Sequence, residues 1–261
     1  MTKISVVIPA HRCDDWLDEA VNSVLNSKDV PFKIVVVLNG IASVPQREWM
    51  ASPNVEVLHF TDPLGPTLAM IRGVEASESE FIARLDADDR THPRRLEKQL
   101  RYLESHPDTP LVGAMVQRIA ADGTPAGEIR MPSGTDVRKH LVLSNTVPHS
   151  TVLMRRDAFS RAGGYDPELS QMEDYDLILR LAQEGPISVL PEVLVEYRLH
   201  TGQVSKGAKP KGVHINKVIK QRARLGKLLG MSTIGIWARN FLWRAVQFTR
   251  YYGFTKPGHE Y

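Results

Sequence analysis

Short apolar runs alternate with helix-like segments over the first hundred residues, and this alternation restricts the fold more than any other feature of the chain. The runs cover residues 4–8, 33–38, 55–60 and 80–85. Each has the length and the β-branched content of a strand that is buried on both faces, and the first is expected to end before Pro9. Strands that alternate with helices predict a parallel α/β sheet.

Helix signals occupy the intervals between these runs. Asp14 or Asp15 is placed to cap a helix whose apolar side chains repeat with a helical period. Residues 65–76 form a second helical pattern, in which Pro66 is tolerated because it falls in the first turn. A third helix is predicted after Pro93. The first hundred residues are therefore expected to form repeated strand–helix units.

Three of the predicted strands lead into segments that are candidates for ligand binding: Ala10, Asn39-Gly40 and the tetrad Asp86-Ala87-Asp88-Asp89. Ligands of open α/β sheets gather outside the carboxyl ends of the strands, so these segments are expected to lie near one another. Three carboxylates within four residues repel one another unless a cation or a donor lies between them. Mg²⁺ takes carboxylate oxygens and keeps places for phosphate oxygens. Taken alone, the tetrad is explained equally well by a solvated acidic turn.

Two later segments carry titratable side chains that are candidates for chemistry. Residues 172–177 place Glu173 and Asp174 at the start of an apolar-striped helix. An acid at this position either stabilises the helix start or takes a proton from a hydroxyl group. His200 follows a strand-like run over residues 193–197, where a lone histidine is more often structural than functional. Neither segment identifies a function by itself.

Composition and motif content exclude several classes of protein. Cys13 is the sole cysteine, so the chain has no intramolecular disulfide and no cysteine cluster for zinc. The Gly-x-x-x-x-Gly-Lys loop of P-loop NTPases does not occur. No window of about 18 residues is uniformly apolar, and residues 1–8 lack the layout of a signal peptide. We therefore expect a cytoplasmic protein or one bound to the cytoplasmic face of a membrane.

Basic charge is concentrated towards the C-terminus. Residues 206–261 contain 12 of the 33 Lys and Arg residues but one of the 30 acidic residues. This change predicts a catalytic domain over residues 1–205 and a basic helical extension over residues 206–261, joined by a loop at 205–212. The extension carries two helical patterns, at residues 213–229 and 233–252.

The second of these patterns has an apolar stripe with arginines on the opposite side. The stripe contains Trp237, Phe241, Ala245, Phe248 and Tyr252, and the arginines are Arg239 and Arg250. Such a helix either docks on the catalytic domain or on a second subunit, or lies in a membrane interface and attracts anionic lipid through residues 213–252. A nucleic-acid partner is not expected, because no recognisable nucleic-acid module accompanies the charge.

Five segments, in this order and at these separations, resemble one protein family. They are residues 5–10 and 80–89, Gly163-Gly164-Tyr165-Asp166, Glu173-Asp174-Tyr175-Asp176-Leu177 and residues 197–200. Through them residues 5–205, about three quarters of the chain, look like the inverting glycosyltransferases of family 2, which have the GT-A fold. The resemblance implies a Rossmann-like mixed α/β sheet flanked by helices, followed here by the C-terminal helical extension. It also implies transfer of a sugar from a nucleoside-diphosphate sugar, with UDP the leading expectation, to an acceptor hydroxyl.

The resemblance implies roles for individual residues. Those implied to hold the nucleotide sugar are Pro9, Ala10, Asn39, Gly40, Arg72, Asp86 and Ala87. Asp88 is implied to bind Mg²⁺ or Mn²⁺, and His200 to complete the metal shell. Asp174 matches the catalytic base, with Glu173 and Tyr175 on the acceptor side. The implied acceptor is a glycan or a lipid-linked glycan used in the synthesis of a cell-envelope polysaccharide or glycolipid.

The chain departs from the common family pattern at positions that affect the donor. Asn39 stands where an aspartate commonly meets the nucleobase, and its amide is still able to read uracil. His11-Arg12 replaces a common Tyr-Asn, and Met70-Ile71 replaces a common Arg-Asn. These differences concern the identity of the donor more than the type of reaction. Residues 120–132 and 145–150 are the loops expected to shape the acceptor site.

Two other functions are compatible with parts of this sequence. A nucleotidyltransferase also uses paired carboxylates and a metal, but it needs a glycine-rich basic loop after the first strand, and residues 9–12 lack glycine. A non-catalytic nucleotide- or glycan-binding protein of the same fold is the main alternative. Asp86, Asp88, Asp174 and His200 are all present, which favours an enzyme.

Overall fold

The computed structural model describes residues 2–129, 131–203 and 209–252. Its strands are β1 (Ile4–Ala10), β2 (Phe32–Asn39), β3 (Val55–Phe60), β4 (Phe81–Arg84), β5 (Arg90–Thr91), β6 (Leu111–Ile119), β7 (Pro125–Glu128), β8 (Leu153–Arg155) and β9 (Ile187–Arg198). Its helices are α1 (Asp15–Leu25), α2 (Pro66–Glu75), α3 (Arg95–Ser105), α4 (Arg138–Leu141), α5 (Arg156–Arg161), α6 (Glu173–Glu184), α7 (Gly212–Leu228) and α8 (Thr233–Tyr252). The strands and helices predicted for the first hundred residues are confirmed.

The described strands form one mixed sheet in the order β3-β2-β1-β4-β8-β6-β9-β5, with β7 paired to β6. β1 lies parallel to both β2 and β4, and β2 lies parallel to β3, as the alternation of strands and helices predicts. β8 is antiparallel to β4 and to β6. This antiparallel strand brings residues near position 150 to the end of β4, which the sequence pattern did not predict.

The core lies on both faces of the sheet, because successive side chains of a strand point to opposite faces. In β1, Ile4, Val6 and Ile8 pack with the apolar faces of α1 and α3. Val7 points to the opposite face and packs with α2 and, further along the sheet, α6 and α7. Helix α1 is capped by Asp14, whose carboxylate accepts a hydrogen bond from the backbone of Leu17 at 3.3 Å.

Strand β1 continues through Pro9 to Ala10, and the prediction that it ends before the proline is wrong. Pro9 pairs in register with Val37, whereas the pairing with β4 ends at Val7. The backbone N–H of Leu85 donates to the carbonyl of Val7, so the backbone groups of Val7 point towards β4. The backbone of Pro9, two residues further along the strand, points to the same side. Pro9 therefore lacks an N–H where no ladder partner needs one.

The C-terminal helices belong to the same core as the sheet. Ile215, Val218 and Leu225 of α7 are buried against the cluster that contains α6, and Trp243 of α8 joins them. The change in charge at the predicted boundary near Ser205 is therefore not a break in the core. Part of the predicted linker at 205–212 lies outside the described residues.

Helix α8 docks through a face other than its aromatic stripe. Ile236, Asn240, Trp243 and Gln247 are buried and recur at helical spacing. Trp237 and Phe241 of the predicted stripe are stacked on each other at 5.6 Å and are 67% and 63% exposed. Docking of this stripe on the catalytic domain, one of the interpretations of the sequence, is therefore wrong.

None of the helices in the described part of the chain combines the length and apolar character needed to cross a membrane.

Candidate active site

Three carboxylates converge in the turn that follows β4. Oxygen atoms of Asp86, Asp88 and Asp89 all lie within 4.8 Å of one another. Burial, with the charge of Asp86 in addition, raises the pKa of Asp88. Burial and the charges of both neighbours raise the pKa of Asp89 well above its usual value. The buried Oδ2 of Asp89 has no hydrogen-bond partner among the described residues. An oxygen-rich group with uncompensated negative charge fits a hard divalent cation such as Mg²⁺ or Mn²⁺.

Asp86 differs from its two neighbours because a cation already pairs with it. The guanidinium of Arg84, at the end of β4, forms an ion pair with its carboxylate. Ser150 donates its hydroxyl to Asp86 Oδ2 at 2.7 Å and accepts from the backbone N–H of Asp86 at 3.1 Å. Burial acts to raise the pKa of Asp86, but Arg84 and Ser150 outweigh it, and the net shift is downwards. Arg84 lies in the quoted segment 80–89 and Ser150 in the predicted acceptor loop 145–150, but the sequence assigned neither side chain a role at the acidic turn.

Strand β9 brings His200 to the acidic turn. The Nε2 atom of His200 lies 2.7 Å from Asp88 Oδ2, and the indole of Trp16 lies 4.6 Å from its ring. Arg198 fixes this arrangement from the same strand. Its Nε donates to the carbonyl of Asp88 at 2.8 Å, and its backbone N–H donates to Asp89 Oδ1 at 2.9 Å. The predicted pair Asp88 and His200 is thus in direct contact.

Two of the predicted nucleotide-binding residues, Ala10 and Asn39, lie at the carboxyl edge of the sheet, whereas Arg72 lies further along α2. Ala10 pairs with Leu38 at the carboxyl ends of β1 and β2, beside the strand that leads into the acidic turn. Asn39 lies at the same edge, but its amide is used within the chain. Its Oδ1 accepts from the backbone of Leu64 at 2.6 Å, and its Nδ2 donates to the carbonyl of Gly65 at 3.4 Å. The buried amide therefore holds the turn before α2 and gives no support to direct reading of a nucleobase.

Arg72 is the predicted site residue that the structure does not bring to the others. It lies in the last turn of α2, where its half-exposed guanidinium pairs with Glu75 at 2.8 Å. The helix starts beside Asn39, and Arg72 lies about 9 Å further along its axis from Pro66 at roughly 1.5 Å per residue. In this conformation the guanidinium is therefore occupied by Glu75, and the role of Arg72 at the nucleotide stays a prediction.

Asp174 lies in the first turn of α6 and has hydrogen bonds to both carboxylate oxygens. Oδ1 accepts from the backbone N–H of Tyr175 at 2.6 Å, and Oδ2 accepts from Nδ2 of Asn145 at 2.9 Å. Burial raises the pKa of Asp174, and the charges of Arg84 and Asp86 also act on it. Asp174 and the acidic turn therefore lie close enough for their charges to act on each other.

The two neighbours of Asp174, both predicted on the acceptor side, have different surroundings. Burial and the charge of Asp174 raise the pKa of Glu173 to about 7. The ring of Tyr175 is buried, and its hydroxyl donates to the carbonyl of Leu141 at 2.5 Å. Tyr175 therefore packs inside the protein, and the expectation that it faces an acceptor is wrong. Met172, which precedes Glu173, has a left-handed backbone conformation with φ of 65°.

A histidine and a tyrosine that the sequence did not single out complete the site. Nε2 of His149 lies 2.7 Å from the hydroxyl of Tyr165. Burial, together with the charge of Arg84, lowers the pKa of His149 well below its usual value, so the ring is neutral at pH 7. His149 lies in the predicted acceptor loop 145–150, and Tyr165 lies in the quoted Gly-Gly-Tyr-Asp segment. Only the folded structure brings the two side chains into contact across 16 residues of sequence.

Comparison with known proteins identifies the family. Residues 5–163 match the family model described as Glycosyl transferase family 2. The O-antigen biosynthesis glycosyltransferase WbnJ of Escherichia coli is 30% identical over 212 residues, which cover 78% of this chain and 83% of WbnJ. The amylovoran biosynthesis glycosyltransferase AmsE of Erwinia amylovora is 33% identical over 180 residues, 67% of either chain.

Solved structures share the fold. The crystal structure of S. aureus TarS residues 1–349 in complex with UDP-GlcNAc matches 95% of this chain and 76% of that one, with a TM-score of 0.74 at 16% identity. The same fragment in complex with UDP matches with a TM-score of 0.71. The mixed sheet flanked by helices is therefore a GT-A fold, as the resemblance implied.

Proposed function

The chain belongs to glycosyl transferase family 2 and is a glycosyltransferase, and we propose that it transfers a sugar with inversion from a nucleoside-diphosphate sugar to an acceptor hydroxyl. The observation that carries this proposal is the arrangement around Arg84. Arg84 pairs with Asp86 of the acidic turn, and its charge also acts on Asp174, so the two groups lie on either side of one guanidinium. A single displacement requires donor and acceptor sites that adjoin in this way. The relatives named for O-antigen and amylovoran biosynthesis support a cell-envelope polysaccharide as the product.

Asp88 and His200 would hold a divalent cation, and the carboxylate of Asp89, close to that of Asp88, would add negative charge to the site. When bound, Mg²⁺ or Mn²⁺ offsets the negative charge that develops on the leaving diphosphate. Arg198 keeps the turn in place through the Asp88 carbonyl and the Asp89 carboxylate. Asp86, paired with Arg84 and Ser150, is left for the ribose or the sugar rather than for the cation.

Asp174 is the proposed base. It takes the proton from the acceptor hydroxyl as the oxygen forms its bond to the anomeric carbon. The bond from that carbon to the diphosphate breaks, and the diphosphate leaves with the electron pair. A positioned base contributes about 10²- to 10⁴-fold to such a reaction. No second carboxylate is needed as a nucleophile, because the configuration inverts in one displacement.

A UDP-sugar is the proposed donor, supported by the UDP-GlcNAc and UDP complexes of the structurally similar TarS fragment. The test is a thermal-shift screen with UDP, GDP, dTDP and CMP, each with and without Mn²⁺, followed by donor hydrolysis with the matching nucleotide sugars. We expect a metal-dependent shift for one diphosphate, its loss in Asp88→Ala, and loss of hydrolysis in Asp174→Asn. Well-folded protein with no shift for any nucleotide and no hydrolysis would instead indicate a non-catalytic protein.

We also propose that α8 contacts the cytoplasmic surface of an anionic membrane. Its exposed apolar side chains are Ile234, Trp237, Phe241, Leu242, Val246 and Phe248. Arg239 and Arg244 on the same helix are exposed as well, and α7 adds the exposed cations Lys220, Arg224 and Lys227 to the basic extension. Apolar side chains flanked by cations suit the boundary between acyl chains and anionic headgroups. Flotation with phosphatidylglycerol-containing vesicles tests the contact, and absence of binding would exclude it.

A further inference from the structure

The loop that leads to β8 reaches the proposed base through a side chain. Asn145 donates from Nδ2 to Asp174 Oδ2 at 2.9 Å across 29 residues of sequence. The opposite oxygen of the carboxylate is held by the backbone N–H of Tyr175 within α6. Each carboxylate oxygen has two lone pairs, so each retains one acceptor position for a substrate hydroxyl. The hydrogen bonds therefore orient the carboxylate without blocking it.

The orientation of the Asn145 amide is determined by its chemistry. Its Oδ1 lies 3.4 Å from the backbone N–H of Val147, which is a donor, and its nitrogen faces a carboxylate, which is an acceptor. A flipped amide would place oxygen against the carboxylate and NH₂ against an N–H group. The NH₂ group therefore points to Asp174.

The loop is anchored on both sides of Asn145. Two residues before it, the carbonyl of Leu143 accepts from Nη1 of the buried Arg222 in α7 at 2.9 Å. Two residues after it, Val147 is 1% exposed and packs in the core cluster of α6. Asn145 itself is exposed, so substitution of its side chain leaves the core intact. The amide is thus presented to Asp174 from a fixed backbone.

We propose that Asn145 is a positioning residue for the base: its amide fixes the direction of the Asp174 carboxylate and stabilises its anionic form. This inference rests on the proposed role of Asp174. Charged and titratable groups around the carboxylate come from several elements: Glu173 on α6, Arg84 and Asp86 at the end of β4, Tyr165 before α6 and Tyr175 within it. Asn145 differs from these groups because it does not titrate and its side chain donates directly to the carboxylate.

The hydrogen bond to Asn145 lowers the pKa of Asp174 against the effect of burial. Removing it destabilises the anion, so the pKa of Asp174 in the folded protein must rise. Loss of one hydrogen bond to a charged group corresponds to about a tenfold change in the protonation equilibrium, or about one pH unit. A purely structural role of Asn145 would not move this titration.

The test is the titration of Asp174 in full-length protein labelled with ¹³C at the aspartate carboxyl carbon, followed by NMR from pH 3 to pH 8. The resonance is assigned by its disappearance in Asp174→Asn. We expect the midpoint to rise by about one unit in Asn145→Ala and to rise further in Asn145→Asp, which brings a second negative charge. Ser144→Ala, an exposed neighbour in the same loop, is the matched control and should titrate like the wild type.

The rate of donor hydrolysis gives a second readout. UDP-GlcNAc, UDP-glucose and UDP-galactose are screened first, and the donor that the wild type hydrolyses is used for the kinetics. In Asn145→Ala we expect kcat to fall most at acidic pH, by up to about tenfold where the pH is below both midpoints, to recover towards pH 9, and KM for the donor to be unchanged. An Asp174 midpoint equal to that of the wild type overturns the inference. Turnover by Asp174→Asn at the wild-type rate overturns the proposed base instead, whatever the titration shows, so the two failures are distinguishable.

Discussion

The buried guanidinium of Arg222 donates to the hydroxyl of Tyr175 at 3.0 Å and so ties the C-terminal helix α7 to the residue after the proposed base. The same side chain donates to Asn240 of α8 at 2.8 Å and lies 4.6 Å from the ring of Trp243. No carboxylate among the described residues pairs with it. The basic extension is therefore built into the support of the catalytic helix.

Arg222→Met is expected to destabilise the protein by about 2 kcal/mol or more, because it leaves the Leu143 carbonyl and the Asn240 amide oxygen without their buried donor. The loss of stability is limited because the substitution also removes the cost of burying the Arg222 guanidinium without a counter-ion. Urea denaturation measures it, with Arg224→Met, an exposed arginine of the same helix, as control. Equal stability of the two variants would show that Arg222 is dispensable.

His200→Ala is expected to weaken metal-dependent UDP binding by about tenfold, roughly 1.4 kcal/mol, without unfolding the protein. The reason is the 2.7 Å contact between His200 and Asp88 in the acidic turn. Trp16, whose ring lies 4.6 Å from His200, provides a fluorescence readout for titration with Mn²⁺ and UDP. Trp16→Phe identifies its part of the signal. Wild-type affinity in His200→Ala would remove this histidine from the metal shell.

Glu173→Gln is expected to stabilise the protein at pH 8 but not at pH 4. The pKa of Glu173 in the folded state is about 7, above the usual value of 4.5, so folding disfavours its ionised form. This penalty is absent below the unfolded pKa and is complete once the pH rises above the folded pKa. The gain at pH 8 is at most about 3 kcal/mol, since the folded pKa lies about 2.5 units above the usual value and each unit is about 1.4 kcal/mol. Melting temperatures at both pH values test this, with the exposed Glu128→Gln as control; a gain that does not depend on pH would contradict it.

Trp237→Ser combined with Phe241→Ser is expected to abolish vesicle binding while leaving donor hydrolysis unchanged. Both rings are largely exposed and lie away from the face that docks on α7. Arg239→Gln with Arg244→Gln should weaken binding to anionic vesicles and reduce its dependence on salt. Flotation measures both. A second-subunit interface would instead appear as a concentration-dependent dimer in light scattering that the double serine variant converts to monomer.

Local sequence patterns were sufficient for the secondary structure around the donor site. Apolar runs of strand length, Asp14 as a cap and the acidic turn after β4 are local signals, and each depends on residues that are neighbours in the chain. The meeting of β1, β2 and β4 at one edge follows from parallel pairing. The same reasoning misplaced the end of β1, because whether Pro9 is tolerated depends on which strand lies beside it.

The acceptor side depended on tertiary contacts. Antiparallel strand β8 brings Ser150 to Asp86, and the preceding loop brings Asn145 to Asp174, although 64 and 29 residues separate these pairs. In α8, the aromatic stripe is the more obvious candidate for burial, but Asn240 and Trp243 dock instead because Arg222 supplies a polar partner and a cation for them. Hydrophobic periodicity identifies an apolar face of a helix. Which face is buried depends on the shape and hydrogen-bonding groups of the surface against which the helix packs. The sequence by itself thus determined the parallel strands β1 to β4, the acidic turn and the family resemblance, and the tertiary structure decided how β8 joins the sheet and which side chains complete the site.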